Sequence, residues 1–96
     1  SDVYKRQVNA MDYGLRYAPD DALKGGTPEQ NKQISLDILK GKDRSCRRDV
    51  VLLNAGIAFY TAEKTASIQD GIIYAAECID SGAAYHQYEL ARGVIV

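Results

Sequence analysis

Tryptophan is absent from this 96-residue chain, and phenylalanine, methionine and histidine occur once each. A single imidazole excludes histidine-rich metal sites and leaves one candidate, His86, for acid–base work. Cysteine is almost as scarce: Cys46 and Cys78 lie far apart without a CxxC motif, so neither a zinc site nor a disulfide scaffold is supported. Both are read as reduced cytosolic thiols, and the expected location is the cytoplasm. Neither sign of charge dominates either, with 12 Lys+Arg against 13 Asp+Glu and a formal charge of −1. That balance argues against a general nucleic-acid binder, which usually shows a strongly basic face. Uninterrupted apolar stretches such as residues 50–53 are far short of a membrane span, and the opening residues lack the hydrophobic centre of a signal peptide. No nucleic-acid or membrane partner is therefore expected. What remains is a chain 46% hydrophobic, about one domain long, with a small core.

The punctuation of the chain predicts helices. Residues 1–7 are polar and patternless, and read as a disordered or non-native leader to be left out of the fold. Residues 12–26 are dense in Gly, Pro and Asp and read as a loop, with at most a short strand near Leu15. Thr27 and Pro28 then open a helix: the hydroxyl caps free N–H groups, proline suits the first helical position, and Gln30 completes a capping-box spacing. This helix is expected over residues 28–40, with Ile34 and Ile38 on one face and Gly41 as its stop. Asp49 is expected to cap a second helix running to Glu63. Val50, Val51, Leu52, Leu53, Ile57 and Phe59 make that helix apolar on every side, so it needs more partners than three amphipathic neighbours supply. Ser67 opens a third helix whose stripe of Ile68, Ile72, Ala75, Ala76 and Ile79 is broken at Ser81-Gly82, and residues 83–92 make a fourth.

Few residues here invite a chemical role. His86 sits in a helical run with no nucleophile motif and is read as structural. Asp20-Asp21 follows a proline and reads as turn chemistry rather than a metal dyad. Lys24-Gly25-Gly26-Thr27 leads into a helix start, where N–H groups suit phosphate, but it lacks the spacing of a Walker or dinucleotide loop, so a tight turn and cap is favoured. Lys40, Lys42, Arg44, Arg47 and Arg48 form a basic cluster interrupted by Asp43 and without stacking aromatics, read as a solvated connector. Asn54, the one amide in the apolar helix, needs partners if buried and is expected to pin a neighbouring loop.

The order of motifs is more informative than any one of them. Asp12-Tyr13-Gly14-Leu15, then Leu23-Lys24-Gly25-Gly26 with Asn31 following, Ile38-Leu39-Lys40-Gly41, the run Arg48-Asp49-Val50-Val51-Leu52-Leu53-Asn54-Ala55, and Ser81-Gly82-Ala83-Ala84 succeed one another. Together they resemble the C-terminal end of the anthranilate phosphoribosyltransferase family over about residues 8–92. The resemblance implies a parent α/β fold, with a small helical domain plus a larger α/β domain. Residues 8–96 would supply the C-terminal part of the larger domain and be mainly α-helical themselves, with about four helices.

The resemblance further implies an enzyme of tryptophan biosynthesis that joins anthranilate to 5-phosphoribosyl 1-diphosphate, uses magnesium and forms a homodimer. Departures are local: Ser45-Cys46-Arg47 stands where the family often has a proline, and Tyr85 and Tyr88 where it has leucines. The family's Gly-Thr-Gly-Gly-Asp phosphate loop and Asp-Glu metal pair have no match in the chain. No catalytic, substrate-binding or metal residue is therefore carried over, no cofactor is expected on this piece, and Gly25, Gly26, Thr27, Pro28 and Asn54 are assigned structural roles. Its partner would be the rest of the parent chain, whose residues would bind both substrates. Two readings stay open beside this one: a free-standing helical protein-interaction module, and a related phosphoribosyltransferase or phosphorylase with another acceptor. Deleting residues 1–7 is expected to leave the melting temperature unchanged, as thermal unfolding followed by circular dichroism will report.

Overall fold

Three hydroxyl side chains set where helices begin. In the computed structural model, which describes residues 9–19, 22–23 and 25–91, Thr27 Oγ1 accepts from the Gln30 N–H at 3.1 Å, Ser45 Oγ from Arg47 at 3.2 Å and Ser67 Oγ from Asp70 at 3.0 Å. Each satisfies a backbone donor that the first helical turn leaves without an internal partner. The helices that follow are α1 (Pro28–Leu39), α2 (Cys46–Thr61), α3 (Ile68–Asp80) and α4 (Ala83–Ala91). A 3-10 turn, Ala10–Tyr13, precedes them, started by Asn9 and closed by Gly14 at φ 74°.

The four helices match the expectation of a mainly helical chain, and the short strand allowed near Leu15 does not occur among the described residues. Near Leu15 the Arg16 N–H instead bonds the Asp49 carboxylate, so the backbone donor a strand would offer to a neighbour is already used. The 3-10 turn was hidden by its loop-like composition. Asp49 does not cap α2: the helix begins a turn earlier at Ser45, and Asp49 is buried within it. That earlier start is held by Asp43, whose carboxylate accepts from both the N–H and the hydroxyl of Ser45. At its other end α2 stops at Thr61 rather than Glu63. Glu63 takes a left-handed conformation at φ 61° and Lys64 bonds back to the Phe59 carbonyl at 2.8 Å, closing the last turn. α1 ends at Leu39, with Lys40 as its cap. The expected leader of residues 1–7, Asp20-Asp21, Lys24 and Arg92 lie outside the described residues.

The core sits where α1, α2 and α3 converge. Ile38, Leu52, Ile72, Ala75 and Ile79 are its buried members, and Tyr13, Leu15, Leu23, Ile34 and Phe59 pack around them half-buried. The α3 stripe read from the sequence is thus the face that enters the core, with Ile68 and Ala76 at its margins. α2 behaves differently from the reading of an all-round apolar helix: Arg48, Asp49, Leu52 and Gly56 are buried on one side, while Asn54, Ala58 and Tyr60 are exposed.

The α2–α3 crossing is close because both helices present glycine. A Cβ on Gly56 would lie 2.5 Å from Ile72 Cγ1 and 3.0 Å from the Ile68 carbonyl oxygen, and one on Gly71 would lie 2.6 Å from the Gly56 carbonyl oxygen. Phe59 and Tyr74 add an edge-on ring contact across the same pair, with centroids 5.0 Å apart. At the other end of the molecule α4 returns on α3 through Ser81-Gly82, with Gly82 at φ 86°. It reaches α1 through Lys40, whose ammonium lies 5.1 Å from the centre of the Tyr85 ring, itself stacked on Tyr88.

Gly71→Ala is expected to destabilise the chain by about 1–3 kcal/mol, because the added methyl meets backbone that cannot step aside. The gain of up to about 1 kcal/mol in helix propensity does not offset this. Urea unfolding compares the two chains, and an alanine variant as stable as the parent would contradict the close crossing.

Candidate functional site

Beside the core, the 3-10 turn and the segment after it fold over the first half of α2 and leave a groove. Its volume is about 460 Å³, and Asn9, Met11, Arg16, Tyr17, Asp49, Val50, Leu53 and Asn54 are among its walls. Its lining mixes polar side chains with the apolar Met11, Val50 and Leu53. Met11 and Tyr17 are largely exposed, at 63% and 74%, so their side chains are available to whatever the groove receives.

One interaction holds the groove's two walls together. Asp49 Oδ2 accepts from the Arg16 backbone N–H and from Arg16 Nε, each at 2.8 Å, and Arg16 Nη2 reaches Oδ1 at 3.4 Å. The same Nη2 also donates to the Arg44 carbonyl oxygen. Burial pushes the Asp49 carboxyl up, but the hydrogen bonds from Arg16 and the charges of Arg16 and Arg48 outweigh it and hold it below the usual carboxylate range.

Of the basic cluster read as a solvated connector, Lys40, Lys42 and Arg44 are exposed, whereas Arg47 is half-buried and Arg48 is buried. Arg48 is buried inside α2, and its Nη2 donates to Asp80 at the end of α3 over 3.2 Å. Its Nη1 lies 3.1 Å from the other Asp80 oxygen, attracted by charge but out of hydrogen-bonding alignment. Arg44 bonds the same carboxylate at 3.3 Å. Hydrogen bonding from Arg48 lowers the Asp80 carboxyl most; some desolvation opposes it, and the charges of both arginines add to the lowering. Arg47 Nε donates to the Ala22 carbonyl at 2.8 Å and so fastens the loop before α1 to α2. The helical phase of α2 turns Arg48 inward, while Arg44, ahead of the helix, stays exposed; charge counting along the chain has no access to that phase.

The glycine pair is also used internally. The Gly25 N–H donates to the Asn31 side chain and the Gly26 N–H to the Gln30 side chain. Thr27 and Gln30 thus make a capping arrangement in which Gln30 reaches back one residue further than the cap itself. Side chains at these glycines would collide with that arrangement, since a Cβ on Gly25 would lie 2.7 Å from Gln30 Cβ. Both N–H groups that an incoming phosphate would want are therefore already bonded. Asn54, expected to pin a neighbouring loop, is exposed and lines the groove, and its side chain bonds none of the described residues. His86 is exposed on α4.

Magnesium, which the family resemblance implies, finds no fit here. No group of three or more His, Cys, Asp or Glu side chains converges among the described residues. Asp43, Asp49 and Asp80 are each committed to Ser45 or to arginines.

Comparison with known proteins places the chain. Residues 1–85 match the profile described as "Glycosyl transferase family, a/b domain". Among curated proteins, the anthranilate phosphoribosyltransferases of Staphylococcus aureus strains Newman, USA300 and N315 are 56% identical over 86 residues, which is 90% of this chain and 26% of theirs. The chain thus spans about a quarter of the length of these relatives. No solved structure gives a significant match.

The lowered carboxyls predict acid sensitivity with a definite sign. A group whose pKa falls on folding contributes stability that is complete above its unfolded value, about 4, and drains away as pH falls through the folded value. The melting temperature is expected to hold steady from pH 8 to about 5 and to decline below about pH 4. Asp49→Asn is expected to cost about 1–2 kcal/mol at pH 7 and to flatten that acid limb, because the charged acceptor for Arg16 is gone. Melting curves across pH for both chains check it.

Proposed function

The chain belongs to the glycosyl transferase family, and we propose that it forms part of an anthranilate phosphoribosyltransferase of tryptophan biosynthesis. The observation that carries this reading is 56% identity over 90% of the chain to enzymes of that name. In the proposed reaction the anthranilate amine bonds to the ribose anomeric carbon of 5-phosphoribosyl 1-diphosphate. The bond to diphosphate breaks, and the amine gives up a proton. Such a transfer depends on donors and a metal that neutralise charge developing on the diphosphate.

The phosphate loop and acidic pair that the family uses for this have no match in the 96 residues. The role assigned to the chain is therefore packing within the whole enzyme, with magnesium, both substrates, a homodimeric assembly and a cytoplasmic setting belonging to that larger protein. Gly25, Gly26, Thr27 and Pro28 serve this role by setting the entry to α1. The one-sided burial of α2 supports this reading over a free-standing module, in which the helix would be covered by its neighbours.

The isolated chain is expected to show no release of diphosphate from 5-phosphoribosyl 1-diphosphate with anthranilate. A chimera in which it replaces the matched 86 residues of the S. aureus enzyme is expected to restore that release. Turnover by the isolated chain, or a folded chimera active only with another acceptor, would overturn the proposal.

A further inference from the structure

Residues 9–19 lie on the helices without entering their core. None of them is buried, and Tyr13 and Leu15, which pack against the buried cluster, are themselves half-buried. Inside this segment the hydrogen bonds are local: the Asp12, Gly14 and Leu15 N–H groups donate to the carbonyls of Asn9, Met11 and Ala10. Among the described residues, every hydrogen bond from the segment to the helical body comes from Arg16. Its backbone N–H and guanidinium donate to Asp49, and Nη2 donates also to the Arg44 carbonyl oxygen just ahead of α2. The Arg16 side chain is 59% exposed, whereas that of Asp49 is 10% exposed. Few buried apolar contacts and a single, solvent-accessible polar tether are the features of a segment that opens before the rest of a fold.

We infer that residues 9–19 form a strap latched by Arg16, which opens as a unit while the four helices stay folded. The groove lies between this strap and α2: Met11, Arg16 and Tyr17 line it from one side, and Asp49, Val50, Leu53 and Asn54 from the other. Opening is therefore the movement of one groove wall away from its opposite, and Arg16 sets the groove's width. Three features bound the moving unit. Downstream, Arg47 Nε holds the Ala22 carbonyl and Leu23 packs at the core, so the release ends before them. Between α2 and α3, the Arg48–Asp80 pair and the glycine crossing include no strap residue. The buried core side chains, Ile38, Leu52, Ile72, Ala75 and Ile79, all come from helices. Release is also reversible in chemical terms. The guanidinium already meets water, and Asp49 lines the groove, so both exchange their mutual hydrogen bonds for hydration in the same movement.

Amide hydrogen exchange of the full chain, followed residue by residue by NMR and corrected for intrinsic rates, tests this independently of the proposed activity. The bonded N–H groups of Leu15 and Arg16 are expected to exchange at least ~10-fold faster than those of Leu52 and Ile72. Their rates are also expected to respond weakly to low urea, because local opening exposes less surface than global unfolding. Gly71→Ala, which loosens the crossing, is expected to speed Leu52 and Ile72 about 10-fold and to leave Leu15 and Arg16 unchanged. Arg16→Ala is expected to speed Leu15 about 10-fold or more, with Arg16→Lys falling between, since lysine keeps the charge but not the planar fork. Exchange at Leu15 and Arg16 that matches the core in rate and urea dependence would overturn the inference, and this outcome is read on the unmodified chain. So would an equal acceleration of strap and core by Gly71→Ala, which would mean that the strap parts only with the whole fold. An Arg16→Ala chain whose Leu15 amide exchanges as before would remove Arg16 as the latch.

Discussion

The close approach of α2 and α3 at Gly56 and Gly71 is the constraint on which the remaining arrangement depends. Two helices come this near only where neither carries a side chain at the crossing, and here each glycine would place a Cβ against the backbone or core side chain of the other helix. With the axes so close, Leu52 and the isoleucines Ile72 and Ile79 interdigitate around Ala75 and bury nearly completely. Ile38 of α1 fills the space they leave and is the most buried side chain of the core.

Charge then fixes the rotation of α2 that the glycines permit. Arg48 and Asp49 are adjacent in sequence and project from neighbouring positions of one turn, so they find different partners. Arg48 turns to Asp80 at the end of α3, and Asp49 turns to Arg16 in the segment after the 3-10 turn. A buried arginine without its carboxylate, or the reverse, would leave a charge in a poorly solvated place at a cost of several kcal/mol. Both pairs are satisfied together in only one rotation of α2 about its axis. That rotation sends Leu52 and Gly56 inward and turns Asn54 and Ala58 out, so the ion pairs that anchor the helix also choose which face stays available.

The functional reading follows from this division. The groups with recognisable chemistry are consumed in holding the fold: the glycine N–H groups by Gln30 and Asn31, the arginines by aspartates and carbonyls, the aspartates by arginines and Ser45. The use of these conspicuous groups inside the fold is consistent with the packing role proposed above.

Local signals were legible wherever the cause is local. The Thr27-Pro28 and Ser67 helix starts, the Ile68-to-Ile79 stripe and the stops at Gly41 and Gly82 depend on residues within one or two turns, and the sequence carries them openly. The order of motifs likewise carries the family resemblance in the sequence alone. Three-dimensional proximity settled the rest. Asp49 reads as a cap until Ser45 and Asp43 start the helix earlier; Arg48 reads as a solvent charge until α3 brings Asp80 beneath it; Asn54 reads as a buried pin until the rotation of α2 turns it outward. Each of these depends on helical phase or on a partner far along the chain, 32 positions for Arg48 with Asp80 and 33 for Asp49 with Arg16, and neither is written in the neighbouring residues.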